Sequence, residues 1–248
     1  MKSSRPFLGL LHGWGMNARV FDALVDALSG ACQVQAFELP GHGGRADVAD
    51  NTLAGWASDL AGQLPAGATL LGWSLGGQVA LRAALDHPQS VARLVLLAST
   101  PRFVSAADWP HGMDGAELDG FAASLRADCR ATLLRFLSLQ TRGVEDQKTL
   151  LQALRAALAS TPAPTAASLD AGLELLRETD LRADLARVRQ PALVVHGGLD
   201  TLSPAAAGAW LAARLPAARL LELPRAGHAP HLSHSGPVAD AVRAFCHA

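Results

Sequence analysis

The stretch Gly72-Trp73-Ser74-Leu75-Gly76-Gly77 closes an apolar run, Ala68–Trp73, and opens at once into the Ala/Leu-rich helical pattern Leu75–His87. A G-x-S-x-G pentapeptide alone arises by chance in Gly-rich loops. Between a strand and a helix it demands a particular corner. The chain must turn so tightly that the positions two before and two after the serine have no room for a Cβ, and the strained serine is pushed out above the sheet. The first amides of the following helix then point at any anion that forms there.

The rest of the chain supplies the sheet that such a corner requires. Short apolar runs bounded by Gly, Pro or Asp recur at Phe7–Leu11, Gln33–Glu38, Ala68–Trp73, Arg93–Ala98, Ala192–His196 and Arg219–Leu223, a pattern of strands buried on both faces. Between them, Ala18–Ser29, Thr52–Gln63, Leu75–His87, Leu202–Leu215 and Pro237–Cys246 carry apolar residues at three- and four-residue intervals. This alternation predicts an α/β fold, a mostly parallel sheet with helices on both faces. From about Asp108 to Ala186 the alternation stops. Leu-, Ala- and Arg-rich helical stretches run on, broken at Gly143 and at Thr161-Pro162-Ala163-Pro164. The expected organisation is a core of residues 1–107 and 187–248 with an inserted helical cap, or lid, at 108–186.

With 248 residues, half of them apolar and 17% charged, the chain can bury a full core and is no disordered segment. Its 21 Lys and Arg against 22 Asp and Glu give no whole-molecule attraction to nucleic acid or anionic membrane. Cys32, Cys129 and Cys246 are too few and too scattered for a disulfide framework and read as buried free thiols of a reducing compartment. The first apolar run, Phe7–Leu11, is too short for a signal-peptide core, and no run approaches the roughly 20 residues of a membrane span. The expectation is a cytoplasmic monomer that uses no cofactor and binds neither nucleic acid nor membrane.

A serine hydroxyl is a weak nucleophile; it needs a base, and the base needs a carboxylate to orient it. Ala192–His196 runs into Gly197-Gly198-Leu199-Asp200, and Arg219–Leu223 into Pro224-Arg225-Ala226-Gly227-His228, so an Asp and a His stand just past the last two strands. The chain order Ser74, Asp200, His228 suits this architecture, and all three fall at carboxyl ends of strands, where parallel sheets place their sites. Each also has a plainer reading. Asp200 could cap the helix that Thr201-Leu202-Ser203-Pro204 opens, alone or together with an orienting role. His228, His231 and His234 recur at three-residue intervals, as metal ligands do, but Pro230 interrupts any helix that would stack them and the segment offers no acidic ligand. No metal site is expected. For a developing oxyanion, the Gly-flanked loop Leu11-His12-Gly13-Trp14-Gly15 can bring the Trp14 amide beside that of Leu75. Core packing is the rival role for Trp14. His12 reads as a hydrogen-bonder under the loop, and Trp73 as a lining of the acyl entrance.

Taken together, His12-Gly13-Trp14-Gly15, Leu39-Pro40-Gly41-His42-Gly43, Gly72-Trp73-Ser74-Leu75-Gly76-Gly77, Gly198-Leu199-Asp200 and Gly227-His228-Ala229-Pro230 resemble the motifs of the α/β-hydrolases over nearly the whole chain. More narrowly, the HGWG and GWSLGG forms and the stretch Arg135–Thr141 are similar to the pimeloyl-acyl-carrier-protein methyl ester esterases of biotin synthesis. The resemblance implies a serine carboxylesterase that hydrolyses the methyl ester of pimeloyl-acyl carrier protein through an acyl-enzyme. It makes Ser74 the nucleophile, His228 the base, Asp200 its orienter, and Trp14 and Leu75 the oxyanion donors. Phe136, Leu137, Ser138, Leu139 and Gln140 would contact the acyl chain, completing a substrate site with Trp14, Ser74, Leu75 and His228. Three departures stand out. Only about six residues precede the first strand, where the family usually has another strand or hairpin; Gly44-Arg45 replaces a common Arg-Ser pair; and His231 stands where an aromatic is usual. None touches the triad.

Residues 126–155 carry Arg126, Arg130, Arg135, Arg142, Lys148 and Arg155 against only Asp128, Glu145 and Asp146, a local basic bias. Arg135 and Arg142, like Lys148 and Arg155, are seven apart and share a helix face. A basic cap beside a serine site would steer an acidic carrier protein with a phosphopantetheine arm, whereas a solvated Arg-rich face would steer nothing in particular. In the family's carrier-binding register lie Arg135 and Lys148, with Arg130 one residue off and Gln152 at a further position. Other functions stay open. One is a general short-chain carboxylesterase. Another is a triad-using lyase of the menaquinone-synthase type, which arginine clamps near the triad would favour over an apolar acyl tunnel. A non-catalytic ligand-binding relative is the last, and the intact Ser74, Asp200 and His228 argue against it.

Overall fold

The computed structural model describes residues 5–248. Six strands, β1 (Phe7–Leu11), β2 (Gln33–Phe37), β3 (Ala68–Trp73), β4 (Val91–Leu97), β5 (Ala192–Gly197) and β6 (Ala218–Leu223), form one all-parallel sheet in the order β2-β1-β3-β4-β5-β6. Leu71 of the central β3 lies beside Leu10 of β1 and Val95 of β4. Because strand side chains alternate, Leu94 and Leu96 pack into one hydrophobic cluster and Val95 and Leu97 into the one across the sheet. Both faces are therefore covered, and β3 and β5 are buried along their whole length, as continuous apolar runs require.

The covering helices of this core are α1 (Asp22–Leu28), α2 (Leu53–Ala61), α3 (Leu75–Asp86), α8 (Ala205–Arg214), the single turn α9 (Pro230–Ser233) and α10 (Ser235–Cys246). The run Ala18–Ser29 divides into a 3₁₀ turn, Ala18–Phe21, and α1, because the Asn17 side chain takes the Arg19 amide and tightens the entry. The expected start of α8 at Leu202 moves to Ala205. The amides of Leu202 and Ser203 are bound to Asp200, so the chain enters the helix only after Pro204.

Between β4 and β5 the chain inserts α4 (Gly115–Ala127), α5 (Cys129–Gln140), α6 (Gln147–Ala159), α7 (Ala166–Glu178) and a 3₁₀ turn, Arg182–Arg187. Gly143, at φ 78°, and the Thr161–Pro164 segment separate α5, α6 and α7 where breaks are expected. The break between α4 and α5 is extra. Asp128 adopts an extended backbone there and caps α5 through the Ala131 amide. Two sets of contacts fasten the end of the insertion to the core. The Thr165 amide donates to Gly41 and its hydroxyl to Asp47, while Asp180 binds Arg182 and Arg102. Those guanidiniums, Arg182 above all, hold the Asp180 carboxyl down at about 2.

All three cysteines are free; Cys32 and Cys246 are buried and Cys129 is half-buried. Among the described residues no helix is long and apolar enough to cross a membrane.

Candidate active site

Ser74 stands at the junction of β3 and α3 with φ 56° and ψ −121°, a conformation that L-residues avoid. The glycines around it explain how the corner survives. A Cβ on Gly72 would run into the Gly76 backbone, and one on Gly76 into the carbonyls of Leu11 and His12. A Cβ on Gly77 would meet the Ser99 side chain. β3 and α3 can cross this closely only without those atoms, and the crossing lifts Ser74 above the sheet.

His228, in the loop after β6, brings Nε2 to 2.9 Å from Ser74 Oγ, and its Nδ1 donates to Asp200 Oδ2 at 2.7 Å. The other Asp200 oxygen accepts the amides of Leu202 and Ser203, each at 2.9 Å. One Asp200 oxygen thus organises the turn before α8 while the other faces the histidine. A carboxylate fixed on two sides holds the imidazole with its lone pair toward Ser74. Asp200 and His228 are buried, so this relay operates away from bulk water.

The loop after β1 brings its glycine against the serine: a Cβ on Gly13 would lie 3.0 Å from the Ser74 Cβ. Among the described residues, neither the Trp14 nor the Leu75 amide has a hydrogen-bond acceptor within the chain, which leaves both donors for a ligand. The Trp14 side chain is also core. Its indole is buried, donates to the Leu169 carbonyl of α7 at 2.9 Å and meets the Phe136 ring edge-on at 5.0 Å. Two histidines brace the loop from beneath. His12 places Nδ1 2.8 Å from the Gly13 carbonyl and Nε2 2.8 Å from the Glu38 carboxylate. Burial alone would raise the Glu38 carboxyl, but the nearby His12 ring and the Ala18 amide, which donates to Oε1, outweigh this and hold it low. His42 donates from Nδ1 to Pro40 and accepts the Gly15 amide at Nε2, a role for a neutral ring; burial pushes its pKa down to about 3.

Of the expected acyl-chain residues, the structure brings two to this centre. Phe136 packs on Trp14, and the Gln140 carbonyl accepts the His228 amide at 3.3 Å. Leu139 is half-buried beside the same cluster as Phe136. Leu137 points into the opposite cluster with Trp73, and the Ser138 hydroxyl is turned back onto the Leu134 carbonyl. A five-residue helical stretch spans more than one turn, so it cannot present every side chain to one site. Trp73 does not line an entrance. It is fully buried, with its indole bonded to the His228 carbonyl.

The six cations of residues 126–155 enter no ion pair among the described residues. Arg130, Arg135 and Lys148 are exposed, Arg135 over the Phe121 ring at 5.1 Å. Arg130 and Arg155 flank a groove of about 710 Å³ floored by Leu133, Leu134 and Leu158. Two of the three departures find places; the first falls partly on residues 1–4, outside the described residues. Arg45 pairs with Asp59, and His231 sits between Trp73 and Phe21, where complete burial pushes its pKa down to about 3. His228 and His231 both pack on Trp73 while His234 turns to Ser233, and no group of three or more metal-binding side chains converges among the described residues. Sequence reasoning missed His196, whose Nε2 donates to Ser203 and lies 3.6 Å from Asp200. A histidine near the end of the otherwise apolar β5 was the available signal. Burial keeps it below its ordinary pKa.

A strained serine at a strand-to-helix corner, relayed through histidine to aspartate on an all-parallel sheet, defines a hydrolase of one class. The chain belongs to the alpha/beta hydrolase family, whose model matches residues 10–241. It is 46% identical over 228 residues, covering 92% of this chain and 90% of the relative, to the pimeloyl-[acyl-carrier protein] methyl ester esterase of Nitrosomonas europaea. With the protein of the same name from Aromatoleum aromaticum it shares 47% identity over 93% of this chain and 94% of that one. Among solved structures, an esterase from Exiguobacterium antarcticum superimposes with a TM-score of 0.88 at 24% identity, covering 99% and 93% of the two chains. A hydrolase from Pseudomonas aeruginosa superimposes at 0.80 with 30% identity over 98% and 91%.

Proposed function

We propose that this chain is a serine carboxylesterase that removes the methyl group from pimeloyl-acyl carrier protein methyl ester, a step of biotin synthesis. The observation that carries the chemistry is the unbroken relay Ser74–His228–Asp200 at 2.9 and 2.7 Å beside two unengaged amides. Ser74 Oγ attacks the ester carbonyl as its proton passes to His228 Nε2, and the Trp14 and Leu75 amides hold the oxyanion. Collapse breaks the ester C–O bond, and His228 returns the proton to the departing oxygen, releasing methanol. Water, deprotonated by His228, then attacks the acyl-Ser74, freeing the carboxylate and restoring the serine. The choice of substrate rests on the likeness to pimeloyl-[acyl-carrier protein] methyl ester esterases and on two features of the insertion, which we read as the cap over the site. Its Phe136 offers the acyl chain an apolar wall against Trp14, and its unpaired Arg130, Arg135 and Lys148 offer an acidic carrier a docking face.

The lyase reading needs cationic clamps at the triad. The side chains that pack together beside Ser74 are instead apolar, Trp14 against Phe136, which favours the esterase. Incubating the protein with pimeloyl-acyl carrier protein methyl ester tests the proposal. Methanol and the free carboxylate are expected from the wild type, undiminished by a chelator. Ser74→Ala should lose at least about a thousandfold in kcat while remaining folded. Retention of a tenth of the activity by Ser74→Ala would remove the serine from the mechanism.

A further inference from the structure

His228 is held by its main chain as well as by Asp200. The Trp73 indole Nε1 donates to the His228 carbonyl at 2.7 Å, and the His228 amide donates to Gln140 at the end of α5. The loop between β6 and α9 that carries His228 has no regular structure of its own, so these bonds matter for where the ring sits. Trp73 differs from any other anchor in its position: it is the last residue of β3, directly before Ser74. β3 lies inside the sheet, paired to β1 and β4, and is buried throughout. The indole is itself confined, with the His231 ring 4.8 Å away at 64° and Phe21 packed beyond His231 at 5.2 Å.

We infer that Trp73 is a positioning residue for the base: one buried hydrogen bond ties the loop carrying His228 to the strand carrying the nucleophile, setting the Ser74–His228 separation. The inference rests on the triad assignment above. Removing the donor leaves the His228 carbonyl buried and unsatisfied, so the loop shifts to find another partner. A misplacement of about 1 Å between reacting groups costs on the order of a hundredfold in rate.

The test replaces the Trp73 side chain with that of 3-benzothienylalanine, which keeps the bicyclic outline and carries sulfur where the N–H was; Trp73→Phe serves as the second variant. On p-nitrophenyl butyrate, kcat is expected to fall about tenfold or more with KM within about twofold. The low-field proton resonance of His228 Nδ1–H should broaden or vanish, while the benzothienyl protein melts within a few degrees of wild type. A purely packing role predicts the opposite: unchanged kcat and an intact resonance in the isosteric variant, with Trp73→Phe losing only stability. That result overturns the inference. Ser74→Ala measured alongside separates the two levels, since activity in that variant would indict the triad itself, whereas an inactive Ser74→Ala beside a fully active benzothienyl protein indicts only the tie.

Discussion

Gly172 lies on α7 with no side chain of its own, yet it decides where Trp14, in the loop after β1, can rest. A Cβ at this position would fall 2.5 Å from Trp14 Cδ1, 3.1 Å from its Nε1 and 3.4 Å from a Leu75 methyl. Gly172→Ala therefore sets two effects against each other. Inside a helix the exchange favours folding by about 1 kcal/mol, while forcing a methyl into a filled core costs about 1–3 kcal/mol. Trp14 has little freedom to retreat, since Phe136 meets it edge-on at 5.0 Å and its indole is bonded to Leu169. The clash should win, with a net loss of about 0–2 kcal/mol and a melting temperature lower by about 2–4 °C per kcal/mol. The displaced Trp14 carries its own amide with it. Full loss of an oxyanion donor costs about a hundred- to thousandfold in kcat, so a partial displacement should cost about tenfold or more. Thermal melts followed by circular dichroism and saturation kinetics on p-nitrophenyl butyrate read both numbers. A variant that melts higher than wild type and keeps its kcat would show that neither Trp14 nor its amide is where the argument needs it.

Two further outcomes follow from the charged groups. Reversing both exposed cations, Arg135→Glu with Lys148→Glu, should lower kcat/KM for an acyl-carrier-protein ester by about 1–3 kcal/mol at low salt, less at high salt, and leave a small free methyl ester nearly unaffected; equal responses of the two substrates would argue for a merely solvated face. His42 and His231, both buried and pushed down to about 3, must stay neutral in the folded protein. Between that value and the ordinary histidine pKa the unfolded chain binds the extra protons, so stability is complete above about pH 6.5 and falls by up to about 1.4 kcal/mol per pH unit for each ring as pH drops toward 3. His231→Phe should remove one share of that slope in denaturant melts at pH 8 and 5, and an unchanged slope would contradict the buried neutral ring.

The strands and the placing of Ser74, Asp200 and His228 at strand ends were legible because each is written locally. An apolar run ending in Gly-x-Ser-x-Gly specifies its own corner, and the β1, β3 and β6 ends fall within a residue of expectation. Asp200 and His228 announced themselves by standing just past strands. The tertiary bonds were not legible. Nothing near Gln140 says that its carbonyl will receive the His228 amide, and nothing near Gly172 says that Trp14 will lie against it. Asp128 misled for a related reason: an Asp within a helical pattern reads as a surface residue until its side chain is seen capping the next helix. Trp73 read as an entrance residue because a large aromatic beside a nucleophile suggests substrate, whereas strand alternation carries it into the core with Leu71.

The most direct test of the central claim is to mix the enzyme with pimeloyl-acyl carrier protein methyl ester, quench within the first turnover, and map the protein by peptide mass spectrometry while measuring methanol. The expected result is an acyl adduct, with the carrier still attached through its thioester, on the peptide containing Ser74, and methanol formed in equal amount. An adduct on another residue, no adduct with turnover proceeding, or release of free carrier thiol in place of methanol would contradict it.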